Sequence, residues 1–360
     1  MQKIRNLEIL RIIGFIAVLL LHLFTSRLCK VFPDIEIYNT LGEIFSNGNK
    51  AVDLFFILSG FFFALKLNIN QSLWHFVKKK LIRFYPVMIF VMICFSFMSV
   101  LGFIKFKIYE PIINLLFLNG TPLVMGIGRP GIFWYLSALM WSLVFYFYLL
   151  KNYEKKNANL IIAMIIFLGY GIIIHSLDGE IHSHSRYIES FINIGMLRGL
   201  CGVGLGYFIA EWYNSNIEKI KNFTCNIFQK ILFTAAEGYC LFFIIYNLLM
   251  HKLKYNNQMI FIIFFVFTIV LLLLKKGYIS KILDNDICTK LSKYTFSLYM
   301  SHTFIIDSFK GSLWKTHPEI VLAHPIINAG GCILLVLIFG IFTYHFIEKP
   351  CNEYFKRIKK

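Results

Sequence analysis

The chain has 360 residues, 58% of them hydrophobic and 15% charged, which is too apolar for a water-soluble core and reads as an all-α polytopic membrane protein. Its formal charge of +17 would suit nucleic acid, but the basic residues sit in short loops between apolar runs. The positive-inside rule accounts for them there, and no solvated basic domain remains to bind DNA or RNA.

Apolar windows of about twenty residues give ten candidate spans, at 7–26, 48–67, 84–104, 132–150, 158–176, 190–211, 230–250, 256–275, 291–310 and 326–347. Lys3 and Arg5 precede the first as in a signal peptide, but no small-residue cleavage site follows. Ser26-Arg27-Leu28-Cys29 makes a poor lipoprotein signal, so the window reads as an uncleaved span. With the N-terminus inside, 22 lysines and arginines fall in inner segments and 11 in outer ones. That bias puts both termini in the cytoplasm. Segment 112–126 is apolar but short and contains Pro122, so it reads as a re-entrant or surface element. As a span it would invert every later helix and strip the inner loops of their lysine excess.

Loop 177–189 is polar, with Asp178, Glu180, His182, His184 and Arg186. Two loop histidines without a third ligand do not argue for a metal, and the eight scattered cysteines suggest neither a zinc site nor a disulfide framework. No metal is expected. Arg198 lies mid-span and is followed by Gly199, Gly202, Gly204 and Gly206. The glycines allow close helix packing, while Arg198 needs a buried partner that the sequence does not name. Windows 230–250 and 256–275 are mainly Phe, Ile and Leu, with Glu237 an isolated acid, and read as scaffold. A single transmembrane domain is expected over 1–350, with 351–360 a short basic cytoplasmic tail.

The chemistry lies in the polar exceptions. Arg11 and His22 are eleven residues apart, which returns them to within about 20° of one helix face and separates them by roughly 16 Å along the axis. An ionisable residue inside a span costs at least ~2.5 kcal/mol, so it usually faces the bundle interior and marks a pathway or site. The bland alternative is a snorkelling Arg11 and a His22 bonded to a neighbouring helix. The topology sorts these exceptions by depth. Arg11, Lys80, Arg83 and Glu348 fall near the cytoplasmic face; His22, Asp53, Ser59, Trp134 and His302 fall deeper, toward the outer half. Guanidinium and ammonium groups at a cytoplasmic mouth suit a phosphorylated ligand. A buried histidine can act as general base or carry an acyl group. Lys78, Lys79 and Lys80 alone would only obey the positive-inside rule.

These residues carry a resemblance. Arg11-x10-His22 resembles the Arg/Lys-x10-His signature of the acyltransferase-3 family of polytopic membrane acyltransferases. Val52-Asp53-Leu54-Phe55-Phe56-Ile57-Leu58-Ser59-Gly60-Phe61 resembles its second-helix block, and Lys80-Leu81-Ile82-Arg83-Phe84-Tyr85-Pro86 its Arg-x-x-Arg block. Trp134-Tyr135-Leu136-Ser137-Ala138-Leu139 is similar to its fourth-helix block. Tyr294 to His302 resembles its Ser-Tyr-x-x-Tyr-x-x-His block, and Ile347-Glu348-Lys349-Pro350 its closing motif. The resemblance implies a stand-alone transferase that moves an acyl group, most often acetyl, from a cytosolic acyl-coenzyme A to a hydroxyl of a cell-surface glycan or lipid-linked saccharide, in the inner membrane of a bacterium. It assigns Arg11, Lys80 and Arg83 to the donor's phosphates, with Glu348 positioning one of those cations. His22 becomes the base or acyl carrier, Asp53 its orienting partner or a sugar contact, and Ser59, Trp134 and His302 the acceptor side. Lys80 stands where the family has arginine, keeping the charge but losing the bidentate fork. A proton-coupled transporter or flippase is the main rival, but the chain halves show no clear repeat.

Overall fold

A backbone crossing lipid must satisfy its own amides, and a helix does so within one segment. The computed structural model describes residues 4–121, 123–124, 131–177, 187–188, 192–250 and 258–357, and each of the ten apolar windows contains a helix. The first becomes α1 (Glu8–Leu20), a π-helical stretch (Leu21–Leu28) and the turn α2 (Cys29–Val31). Next come α3 (Glu36–Ile44), a 3-10 stretch (Phe45–Lys50), α4 (Ala51–Leu65), α5 (Leu73–Val100), α6 (Glu110–Leu115), α7 (Phe133–Asn152) and α8 (Lys155–Ser176). A small antiparallel pair, β1 (Tyr187–Ile188) and β2 (Ile192–Asn193), leads into α9 (Ile194–Asn222), α10 (Ile227–Leu249) and α11 (Met259–Leu274). The last part holds α12 (Tyr278–Ile282), α13 (Asp286–Ser292), α14 (Thr295–Gly311), α15 (Leu313–Thr316), α16 (Pro318–Ala323) and α17 (Pro325–Thr343). A second π stretch (Tyr344–Glu348) then joins α17 to α18 (Lys349–Arg357).

Among the described residues eight helical runs are long and apolar enough to cross a membrane. The other two windows give shorter helices, α11 with 16 residues and α14 with 17. At about 1.5 Å per residue these reach roughly 25 Å, less than a hydrocarbon core of about 30 Å. Several helices run past the apolar windows, because hydropathy marks the part of a helix that meets lipid and not its ends in water. α5 begins at Leu73, where Ser72 accepts from the His75 N–H at 3.1 Å as an N-cap. Lys78, Lys79, Lys80 and Arg83 are therefore helical. α9 starts after Asn193, which accepts from the Met196 N–H at 3.0 Å, and continues to Asn222. The expected tail from 351 continues as α18 to Arg357, and residues 358–360 lie outside the described residues. In segment 112–126 the six-residue α6 gives way to turns through Phe117 and Gly120, both at positive φ. Its described part does not span; Pro122 and residues 125–126 lie outside the described residues.

α4 packs along α9, which also carries α7 and α8; α1 lies on α4, and α14 on α17. Glycines set the closest approach. A Cβ on Gly60 would run into the carbonyl of Val203, and one on Gly206 into the carbonyl of Ile57. Of the apolar stretches, 72% is buried in Glu36–Leu65 and in Phe133–Asn152, against 28% in Lys155–Ser176 and Ile227–Leu249. The first pair forms the centre; the second presents Phe167 and Phe242 outward, as lipid-facing helices do. Glu237 is buried in that scaffold and accepts from the backbone N–H groups of Gly277 at 3.2 Å and Ser280 at 3.0 Å. It caps the first turn of α12, supplying partners that a helix start lacks.

Candidate active site

The expected lower layer converges on one cavity. Its volume is about 460 Å³, and five basic side chains, Arg11, Lys66, Lys80, Arg83 and Lys293, line it together with the carboxylates of Glu8 and Glu348. α1 brings Glu8 and Arg11, the end of α4 brings Lys66, and the polar first half of α5 brings Lys80 and Arg83. The α13–α14 junction adds Lys293 and the second π stretch adds Glu348. Aromatic faces support the cations. Arg11 lies 4.6 Å from the Phe62 ring centroid, Lys80 5.2 Å from Phe76, Arg83 6.0 Å from Phe296 and Lys293 4.6 Å from Tyr294. Such contacts hold a cation while leaving its N–H groups to a ligand.

Glu8 accepts from Arg11 at 3.0 Å, so the carboxylate placed against a cavity cation is Glu8. Glu348 instead accepts from the Ser297 hydroxyl at 2.6 Å and lines the cavity with Arg83. Lys66, Lys293 and the contact role of Glu8 are not distinguishable in the sequence, since a lysine at the cytoplasmic end of a span is what the positive-inside rule already requires.

Phe55, Tyr135 and Tyr299 pack edge to face, with centroids 6.2 Å (Phe55–Tyr135), 5.9 Å (Phe55–Tyr299) and 5.4 Å (Tyr135–Tyr299) apart, and all three line the cavity. The Ser59 and Tyr135 hydroxyls are 3.5 Å apart, so Ser59 shares the cavity with the cations. Tyr299, in the cavity lining, also touches one of a pair of histidines. His302 lies 5.7 Å from the Tyr299 ring and 5.2 Å from His22. His22 sits in the first turn of the π stretch, a form of winding common at functional sites. The same π stretch and α14 are joined again by Arg27 and Asp307, whose side chains bond at 2.7 Å.

Asp53 and Trp134 meet at Arg198. Both Asp53 oxygens accept from Arg198, at 3.1 Å from Nε and 2.7 Å from Nη2. The guanidinium also reaches the Asn49 carbonyl at 3.4 Å and lies 5.4 Å from the Trp134 ring. Arg198 thus has its partner. Asp53 is committed to the α4–α9 contact and not, among the described contacts, to His22. The tyrosine following Trp134, Tyr135, is the one that reaches the cavity. His182 and His184 lie outside the described residues.

A family profile described as an acyltransferase domain, Acyl_transf_3, matches residues 4–345. No curated protein and no solved structure matches the chain. The profile spans the helices that carry the cavity and the histidine pair, and the chain belongs to the acyltransferase-3 family as an integral, multi-pass membrane acyltransferase.

Proposed function

We propose that the protein takes an acyl group, acetyl in the simplest case, from a cytosolic acyl-coenzyme A and transfers it to a hydroxyl of a cell-surface polysaccharide or its lipid-linked precursor, in the cytoplasmic membrane of a bacterium. The observation that carries the donor half is the five-cation cavity that the Phe55–Tyr135–Tyr299 cluster also lines. A ligand with several phosphates at one end and a thin uncharged arm at the other matches that arrangement. Arg11, Lys80 and Arg83, joined by Lys66 and Lys293, hold the phosphates. The pantetheine arm follows α1 toward His22, over a distance that eleven helical residues set at roughly 16 Å. The glycan half rests on the family resemblance, with His302 toward the acceptor.

Purified protein incubated with labelled acetyl-CoA and bacterial surface glycans tests this reading. Acceptor-dependent donor consumption is expected. Loss of one charged contact costs about 1.5–3 kcal/mol, so Arg83→Ala should raise the donor KM about 10–100-fold and act less at saturating donor. His22→Ala should abolish transfer at every donor concentration while leaving membrane insertion intact. Uptake of ligand without turnover would instead favour a porter, and wild-type acylation by the His22 variant would remove that residue from the chemistry.

A further inference from the structure

Beside the cavity lies a buried base that donor binding does not use. His302 is fully enclosed on α14, and its Nδ1 lies 2.7 Å from the Tyr299 carbonyl oxygen. A carbonyl only accepts, so Nδ1 carries the ring proton and the lone pair of the neutral imidazole sits on Nε2. That Nε2 is buried and has no hydrogen-bond partner among the described residues. Buried polar atoms in folded proteins find partners in the great majority of cases, and an exception calls for a reason. The ring is also fixed. Phe15 packs edge-on at 6.3 Å, and the Arg27–Asp307 pair ties α14 to the π stretch that holds His22.

Resting on the acyl-transfer reading above, we infer that the two histidines divide the reaction: His22 carries the acyl group and His302 Nε2 receives the proton of the acceptor hydroxyl. In the first step a His22 ring nitrogen attacks the thioester carbonyl, the C–S bond breaks, and the thiolate departs with the proton that the His22 ring sheds. In the second the acceptor hydroxyl attacks the acyl-imidazole, its proton passes to His302 Nε2, and the acyl C–N bond breaks. His22 is left as imidazolate next to a protonated His302, from which it recovers a proton, and both rings end neutral. A base adjacent to the leaving imidazole serves both proton movements, and the 5.2 Å separation of the rings puts His302 there.

His302→Asn separates this role from a structural one, because the Asn amide can still donate to the Tyr299 carbonyl while the Nε2 base is gone. Folding is checked by the thermal shift that acetyl-CoA produces, and His302→Gln, which places a non-basic amide near the Nε2 position, serves as the second variant. With labelled acetyl-CoA, the folded variant should release one equivalent of free thiol and accumulate acylated protein. Its steady-state transfer to glycan should fall at least about 100-fold, the scale of a lost general base. His22→Ala should show no such burst. Transfer within tenfold of wild type in a folded His302 variant overturns the inference, as does loss of the burst together with turnover while donor binding persists. Absence of transfer by the wild-type protein is the distinct outcome that removes the proposed function itself.

Discussion

Asp53 and Arg198 form a bidentate pair with each side chain only 1% exposed, so neither charge has water to fall back on. Removing one partner of such a pair strands the other, at a cost of about 3–5 kcal/mol. Asp53→Asn should therefore lower the melting temperature of the detergent-purified protein sharply, and Arg198→Met likewise. The double variant Asp53→Leu with Arg198→Met should recover part of the loss. An Asp53→Asn protein that melts like wild type yet transfers no acyl group would return Asp53 to the chemistry. The pairing was hidden in the sequence because its members lie 145 residues apart and nothing in one chain's pattern couples them. Arg11, Lys80 and Arg83 were legible for the opposite reason: charge, depth and motif each pointed to the same mouth. Lys66 and Lys293 had charge and depth, but without a motif they could not be told from the ordinary inner lysines of the positive-inside rule.

At the scale of helices, the apolar windows show where a span must be, since lipid admits little else, and they miss what depends on neighbours. The two π stretches illustrate this. One begins just before His22 and the other ends at Glu348, and neither leaves a trace in hydropathy. The glycines of α9 were legible as packing residues, but their partner helix was not. Contact with α4 passes through Gly60 and Gly206, where an added Cβ would meet backbone carbonyls and no side chain could yield. Gly60→Ala or Gly206→Ala should destabilise the protein by about 1–3 kcal/mol, the usual cost of overpacking, as read from thermal denaturation of the purified protein. Gly330→Ala on α17 is the control, for nothing lies within 4 Å of a Cβ there, and its melting temperature should stay level or rise slightly. A level or raised melting temperature at all three positions would mean that helix propensity, and not the α4–α9 contact, sets the effect.

Across the whole molecule the orientation of the cavity depends on whether the two short helices cross. α11 is strongly apolar and only a little shorter than the hydrocarbon core, a mismatch that local thinning of the bilayer absorbs at modest cost. α14 is different. Its residues Ser297 to Thr303 are buried in protein, so it needs no apolar surface and can be polar at membrane depth. If both cross, or neither does, the chain's ends stay on one side; if only one crosses, α17 inverts and Glu348 leaves the membrane face that holds Arg11. The cavity unites Glu8, Arg11 and Glu348, which excludes unequal crossing, and Lys293, which follows α11 and precedes α14 yet lines the same cavity, requires that both cross. The exposed Lys315 that follows α14 and the exposed Lys281 ahead of it test this. In a cysteine-free background, Lys281→Cys should react with a membrane-impermeant maleimide only when the cytoplasmic face is opened, and Lys315→Cys in intact cells. Labelling of both from the same side would show that α14 does not cross, and would put His22 and His302 nearer the donor's side of the membrane than an outward-facing acceptor requires.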